Sequence, residues 1–146
     1  MSVYTQLVSK LLFPLHELLK KHTSVAVRKE LEQSQWWSRE ELEALRINRL
    51  KALLQNARAH VPYYRNLFDE LQFDPDEVDS LDWLQKLPLM TKDTIRANTD
   101  DLKADNATGL QRFNTGGSTG EPLIFYIGKE RVSHDVAAKW RATRWW

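Results

Sequence analysis

Residues 111–127 read QRFNTGGSTGEPLIFYI, and within them Thr115–Gly120 places three glycines and three hydroxyls on six consecutive positions. Gln111 to Asn114 fits a short strand, and Leu123 to Ile127 is a continuous apolar run of the kind covered on both faces of a sheet. A strand of that type needs more neighbours than one hairpin supplies, so the pattern predicts the opening part of a larger α/β domain. Working outward, all five glycines fall between Gly109 and Gly128, and residues 1–108 contain none. A glycine-free, Leu-rich segment reads as helix. The expected organisation is therefore a mainly helical region over 1–108, then a strand, loop, strand and helix over 109–146, with the last helix spanning Ser133 to Trp146.

Local signals subdivide the helical region. Ser38 and Glu41 form an S-x-x-E capping box, with Trp37 placed to staple onto Leu42. The near-helical spacing of Leu42, Leu45, Leu50, Leu53, Leu54 and Ala57 predicts an amphipathic helix that runs until Pro62 interrupts it. A shorter helix is expected from Tyr64 to Leu71, a helical turn from Ser80 to Lys86, and a helix capped by Thr91 that continues through Ile95 to Leu102. Near the start, Leu7, Val8, Leu11, Leu12, Phe13, Leu15, Leu18 and Leu19 are interrupted by Lys10, Pro14, His16, Glu17, Lys20 and Lys21. That run is too short and too charged for a spanning segment or an export signal, and it reads as an amphipathic helix of a cytoplasmic protein that docks on its own domain or touches a membrane surface.

Composition narrows the chemistry. The 21 Lys and Arg balance 20 Asp and Glu over 146 residues, which disfavours a dedicated nucleic-acid binder. Charge is unevenly spread, with net values of +4 over 1–60, −6 over 61–110 and +3 over 111–146. The acidic middle lacks the glycine and spacing of a calcium loop and reads as a solvated connector. Without cysteine, thiolate metal sites and cysteine nucleophiles are excluded. His16, His22, His60 and His134 show no metal-ligand spacing, so no metal site is expected. Tyr63, Tyr64 and Arg65 fit packing at a helix end better than base stacking.

Three glycines free the backbone for close approach, successive N–H groups converge on an anion, and Ser and Thr hydroxyls add donors. Residue composition leaves two readings open, a phosphate cradle and a polar hairpin loop. It is not a Walker A loop, because no Lys follows Gly120 and an extended segment follows Pro122. Ser118 has no G-x-S-x-G elbow and no positioned His, which argues against hydrolase chemistry.

The octapeptide Thr115-Gly116-Gly117-Ser118-Thr119-Gly120-Glu121-Pro122 resembles the phosphate-binding signature of the adenylate-forming enzymes. His60-Val61-Pro62-Tyr63-Tyr64-Arg65 and Leu87-Pro88-Leu89-Met90-Thr91-Lys92 follow the order of the phenylacetate-CoA ligase-like branch, which includes capsular-polysaccharide-biosynthesis proteins of the CapK type. The resemblance runs from about Ser34 to Trp146. It implies the start of an adenylate-forming large domain, truncated after Trp146, in which Ser118 and Thr119 contact ATP phosphates. Thr115, Gly116, Gly117 and Gly120 would shape the loop, with Glu121 and Pro122 completing it. Leu123 stands where many members of the superfamily carry Lys, a difference that favours the phenylacetate-like subgroup. The implied reaction is attack of a small-molecule carboxylate on ATP with Mg²⁺, then possible capture of the acyl group by CoA. The catalytic residues themselves and the oligomeric state are unassigned, and the resemblance places the lid and metal motif beyond Trp146. The alternative is a non-catalytic helical interaction module that carries a degenerate phosphate loop.

Overall fold

The computed structural model describes residues 3–116 and 122–143. In chain order it contains α1 (Val3–Leu7), a π-helical turn (Val8–Leu12), α2 (Phe13–Leu19), α3 (Ser24–Ser34), α4 (Arg39–His60), α5 (Pro62–Glu70), two 3₁₀ turns (Pro75–Glu77 and Leu81–Lys86), α6 (Lys92–Ala97), β1 (Gln111–Asn114), β2 (Ile124–Ile127) and α7 (Lys129–Ala142). The described residues are thus mostly helical, with one two-stranded sheet. They divide into two units, Met1–Trp37 with Ile127–Trp146, and Ser38–Tyr126.

In the first unit, α3 and α7 pack through small side chains. Ser24, Ser133 and Ala137 are buried, and the backbone N–H of Thr23 donates to the Ser133 hydroxyl at 3.1 Å. Small residues let two helices approach closely, and bulkier neighbours then seal the edges of the contact. Here Trp140 of α7 receives the Phe13 ring edge-on at 4.8 Å and the Arg28 guanidinium at 4.0 Å from its ring centre. The end of α2 is a Schellman turn. Lys21 takes a positive φ of 56°, Lys21 N–H donates to Leu18 and His22 N–H donates to Glu17. This turn folds His22 back beside the buried Glu17 carboxylate, at 3.4 Å.

The second unit begins where expected. Ser38 Oγ accepts from Glu41 N–H at 3.2 Å, and Glu41 Oε2 accepts from Ser38 N–H at 2.7 Å. The long helix α4 stops because the residue before a proline is driven out of the helical region: Val61 is extended (φ −113°, ψ 107°), and Pro62 opens α5. Helix α5 ends in a second Schellman turn, with Gln72 at φ 50° and Phe73 N–H donating to Phe68 O at 2.8 Å. The turn lays Phe73 against Phe68, ring centres 4.9 Å apart, and starts an aromatic row that continues to Tyr64 on one side and Trp83 on the other. Around it, Leu54, Ala57 and Val78 complete the buried cluster.

The structure corrects the bounds of two helices. Helix α6 ends at Ala97 and does not reach Leu102, because Asn98 Nδ2 and the Thr99 hydroxyl donate to the carbonyls of Thr94 and Ile95. At Ile95 a hydroxyl thereby takes the place of the backbone donor that would have carried the helix on, while Thr94 accepts from both the side chain and the backbone N–H of Asn98. Strand β2 lacks, among the described residues, the further neighbours that its apolar run calls for. It pairs with β1 alone among the described residues, Phe125 remains 36% exposed, and β1 is exposed throughout. Helix α7 also begins at Lys129, four residues before the expected start, with Gly128 as its N-cap.

Candidate phosphate loop and its support

Of the octapeptide, Thr115, Gly116 and Pro122 are described, whereas Gly117, Ser118, Thr119, Gly120 and Glu121 lie outside the described residues. Thr115 closes the strand pair twice. Its backbone N–H donates to Leu123 O at 3.0 Å, and its hydroxyl accepts from Leu123 N–H at 3.0 Å. This side chain thus fixes the mouth of the loop across eight residues of sequence. Gly116 differs: its φ is not positive, and a Cβ placed there meets no described atom within 4 Å. Neither backbone strain nor crowding among the described residues requires glycine at this point.

A ring contact joins the two strands that lead to the loop. Phe113 and Phe125 stack across the pair with centres 6.1 Å apart. Behind β2, Ile95, Thr99, Leu102, Ala107, Leu110 and Ile124 line an apolar cavity of about 250 Å³. Lys103 sits at its border, 2.7 Å from Asp100 and 5.0 Å from the centre of the Tyr126 ring. Hydrogen bonding to Asp100 holds the Lys103 ammonium above its ordinary pKa, and the same bond lowers that of Asp100.

The motif at 60–65 forms a corner that braces the unit. Arg65 donates to the carbonyls of Arg58 and Ala59, at 3.2 and 2.6 Å, so its guanidinium caps the end of α4. Asp105 accepts from Arg65 at 3.3 Å and lies 3.1 Å from His60 Nδ1. His60, and to a smaller extent Arg65, hold the Asp105 carboxyl below the usual carboxylate range against the opposing effect of desolvation. Two backbone bonds, Tyr63 N–H to Asp101 O and Asp105 N–H to His60 O, tie the 101–105 turn to this corner. Tyr64 points into the aromatic row, where burial raises its phenol pKa. Packing is therefore the role the structure shows for this motif. Asp105 and Lys103 have no local motif that marks them; Asp105 reaches His60 across 45 positions of sequence. In Leu87–Lys92, Thr91 caps α6 by accepting from Thr94 N–H at 3.1 Å.

The chain is phenylacetate-CoA ligase-like in sequence. It is 34% identical over 87 residues to phenylacetate-coenzyme A ligase of Escherichia coli (strain K12), covering 58% of this chain and 20% of that protein. It is 39% identical over 97 residues to phenylacetate-coenzyme A ligase of Aromatoleum evansii, covering 65% and 22%. Protein CapK of Staphylococcus aureus is 37% identical over 54 residues, covering 37% of this chain and 12% of that protein. The chain thus spans about a fifth of the length of the phenylacetate-coenzyme A ligases it matches. No protein-family model matches it.

Proposed function

We propose that this chain supplies the nucleotide-phosphate loop of an ATP-dependent, AMP-forming carboxylate-activating enzyme of the acyl- or aryl-CoA ligase type. The observation that carries the reading is the contrast within the loop's own frame: Thr115 pins the strand mouth, while a Cβ built at Gly116 meets no described atom. A phosphate group needs that combination, a fixed mount and N–H groups it can approach closely. Ser118 and Thr119 would add hydroxyl donors, with Gly117, Gly120, Glu121 and Pro122 completing the loop.

The reaction this reading assigns begins with a carboxylate oxygen attacking the α-phosphorus of ATP. The bond to the bridging oxygen breaks, pyrophosphate leaves with the electron pair, and an acyl-adenylate remains. The CoA thiol, losing its proton, then displaces AMP and forms the thioester. The loop's part is to hold the phosphates in line for displacement and to stabilise the charge that moves onto the leaving group. Mg²⁺ would accompany the ATP phosphates and screen their charge; no cluster of three His, Asp or Glu able to hold a metal occurs among the described residues, and no step is assigned to it. The acid is a small-molecule carboxylate, and the setting is cytoplasmic.

Titration of the chain with a fluorescent ATP analogue tests the reading. Ser118→Ala with Thr119→Ala is expected to weaken binding by roughly tenfold or more, as for losing two hydrogen bonds to a charged group, with an unchanged melting temperature. Equal binding by the double variant would overturn it and favour a non-catalytic interaction module.

A further inference from the structure

The first helical segment carries a row of apolar residues on its outer side. Val3, Leu7, Leu11, Leu15 and Leu19 recur at intervals of four, and all five are exposed, from 49% at Leu7 to 86% at Val3. In a regular α-helix such a row drifts by about 40° at each step. The π-helical turn over Val8–Leu12 is wider and offsets part of that drift, which keeps the row together. A different side chain docks the segment on its own unit: Phe13 packs edge-on against Trp140 of α7, and beside it Val8 and Val136 line an apolar cavity. The exposed leucines are therefore surplus to the packing seen within this unit.

Charge identifies what fits them. Between Val3 and His22 the only carboxylate is Glu17, and it is buried, turned inward and paired with His22 through the Schellman turn. Lys10, Lys20 and Lys21 are all exposed. The outward surface of the segment thus combines Leu with ammonium groups and carries no exposed negative charge. No helix among the described residues is long and apolar enough to cross a membrane, so the segment would lie in the interface plane. We infer that residues 3–21 form a docking surface for an anionic lipid bilayer, with the leucine row entering the acyl boundary and the lysines meeting the headgroups.

Co-sedimentation of the 146-residue chain with phosphatidylglycerol vesicles, and separately with phosphatidylcholine vesicles, tests this. Binding is expected to the anionic vesicles, to fall with added salt, and to weaken by roughly a hundredfold in Leu11→Ser with Leu15→Ser. Lys10→Ala with Lys20→Ala is expected to weaken it by about tenfold and leaves the apolar row intact, so it reads the charge contribution even where the leucine variant loses helix content. Binding to neither vesicle overturns the inference. So does unchanged binding by both variants, or a chain that is a dimer in solution, dissociates in the leucine variant and ignores vesicles, which would make a second copy the occupant.

Discussion

The corner at His60–Arg65 and the strand mouth at Thr115–Leu123 both lie in the unit Ser38–Tyr126, and both carry family-like motifs, yet they are built in opposite ways. At the corner, one guanidinium caps two carbonyls, one carboxylate serves His60 and Arg65, and backbone bonds join the 101–105 turn to α4 and α5. At the strand mouth, Thr115 makes the closing bonds and Gly116 has no described neighbour against its side-chain position. The difference teaches that a motif can be distinctive for contrary reasons. One saturates its polar groups to hold a shape, and at the other a side chain built at Gly116 meets no described neighbour.

That contrast can be broken most forcefully from the corner's interior. Phe68→Ala removes a fully buried ring at the centre of the aromatic row and should cost about 3–5 kcal/mol, read by denaturant unfolding. Arg65→Ala uncaps α4 and should cost about 1–2 kcal/mol in the same assay, whereas an exposed arginine with no structural duty would cost almost nothing. The acid limb of stability sharpens the point. Because the folded state holds the Asp105 pKa below its ordinary 3.8, the clamp contributes fully above pH 3.8 and is lost as pH falls through the lowered value. Asp105→Asn should therefore flatten the loss of stability on acidification below pH 3.8. Gln72→Gly relieves a positive φ and should raise stability by about 0.5–1 kcal/mol. Gly116→Ala gives the smallest effect on folding, a gain of up to about 1 kcal/mol from the unfolded chain. Its effect should appear instead in nucleotide affinity, because the added methyl group occupies the approach surface.

Much of the helical architecture was legible because it rests on short-range chemistry. The Ser38 and Glu41 box, the break at Pro62 and the Thr91 cap depend on neighbours within four positions, and each occurs where the residues place it. The early end of α6 was missed although its cause is local: Asn98 and Thr99 turn back on the preceding carbonyls, a competition that apolar spacing does not register. A continuous apolar run such as that of β2 tells what a strand can bury and not what lies against it. Asp105 could not be found at all without the fold, since its partners sit 40 and 45 residues away. Of the octapeptide, the glycine and hydroxyl pattern was plain in the sequence. The double duty of Thr115, spent on the strand mouth, depends on Leu123 being brought opposite to it.

The central claim, that the loop rather than the corner receives a phosphate chain, is tested most directly by amide-resolved NMR during an ATP titration. The account predicts saturable shifts at the amides of Gly116 to Gly120, with those of Tyr63, Arg65 and Asp105 unmoved. Shifts confined to the corner, or none in the loop at saturating ATP, would contradict it.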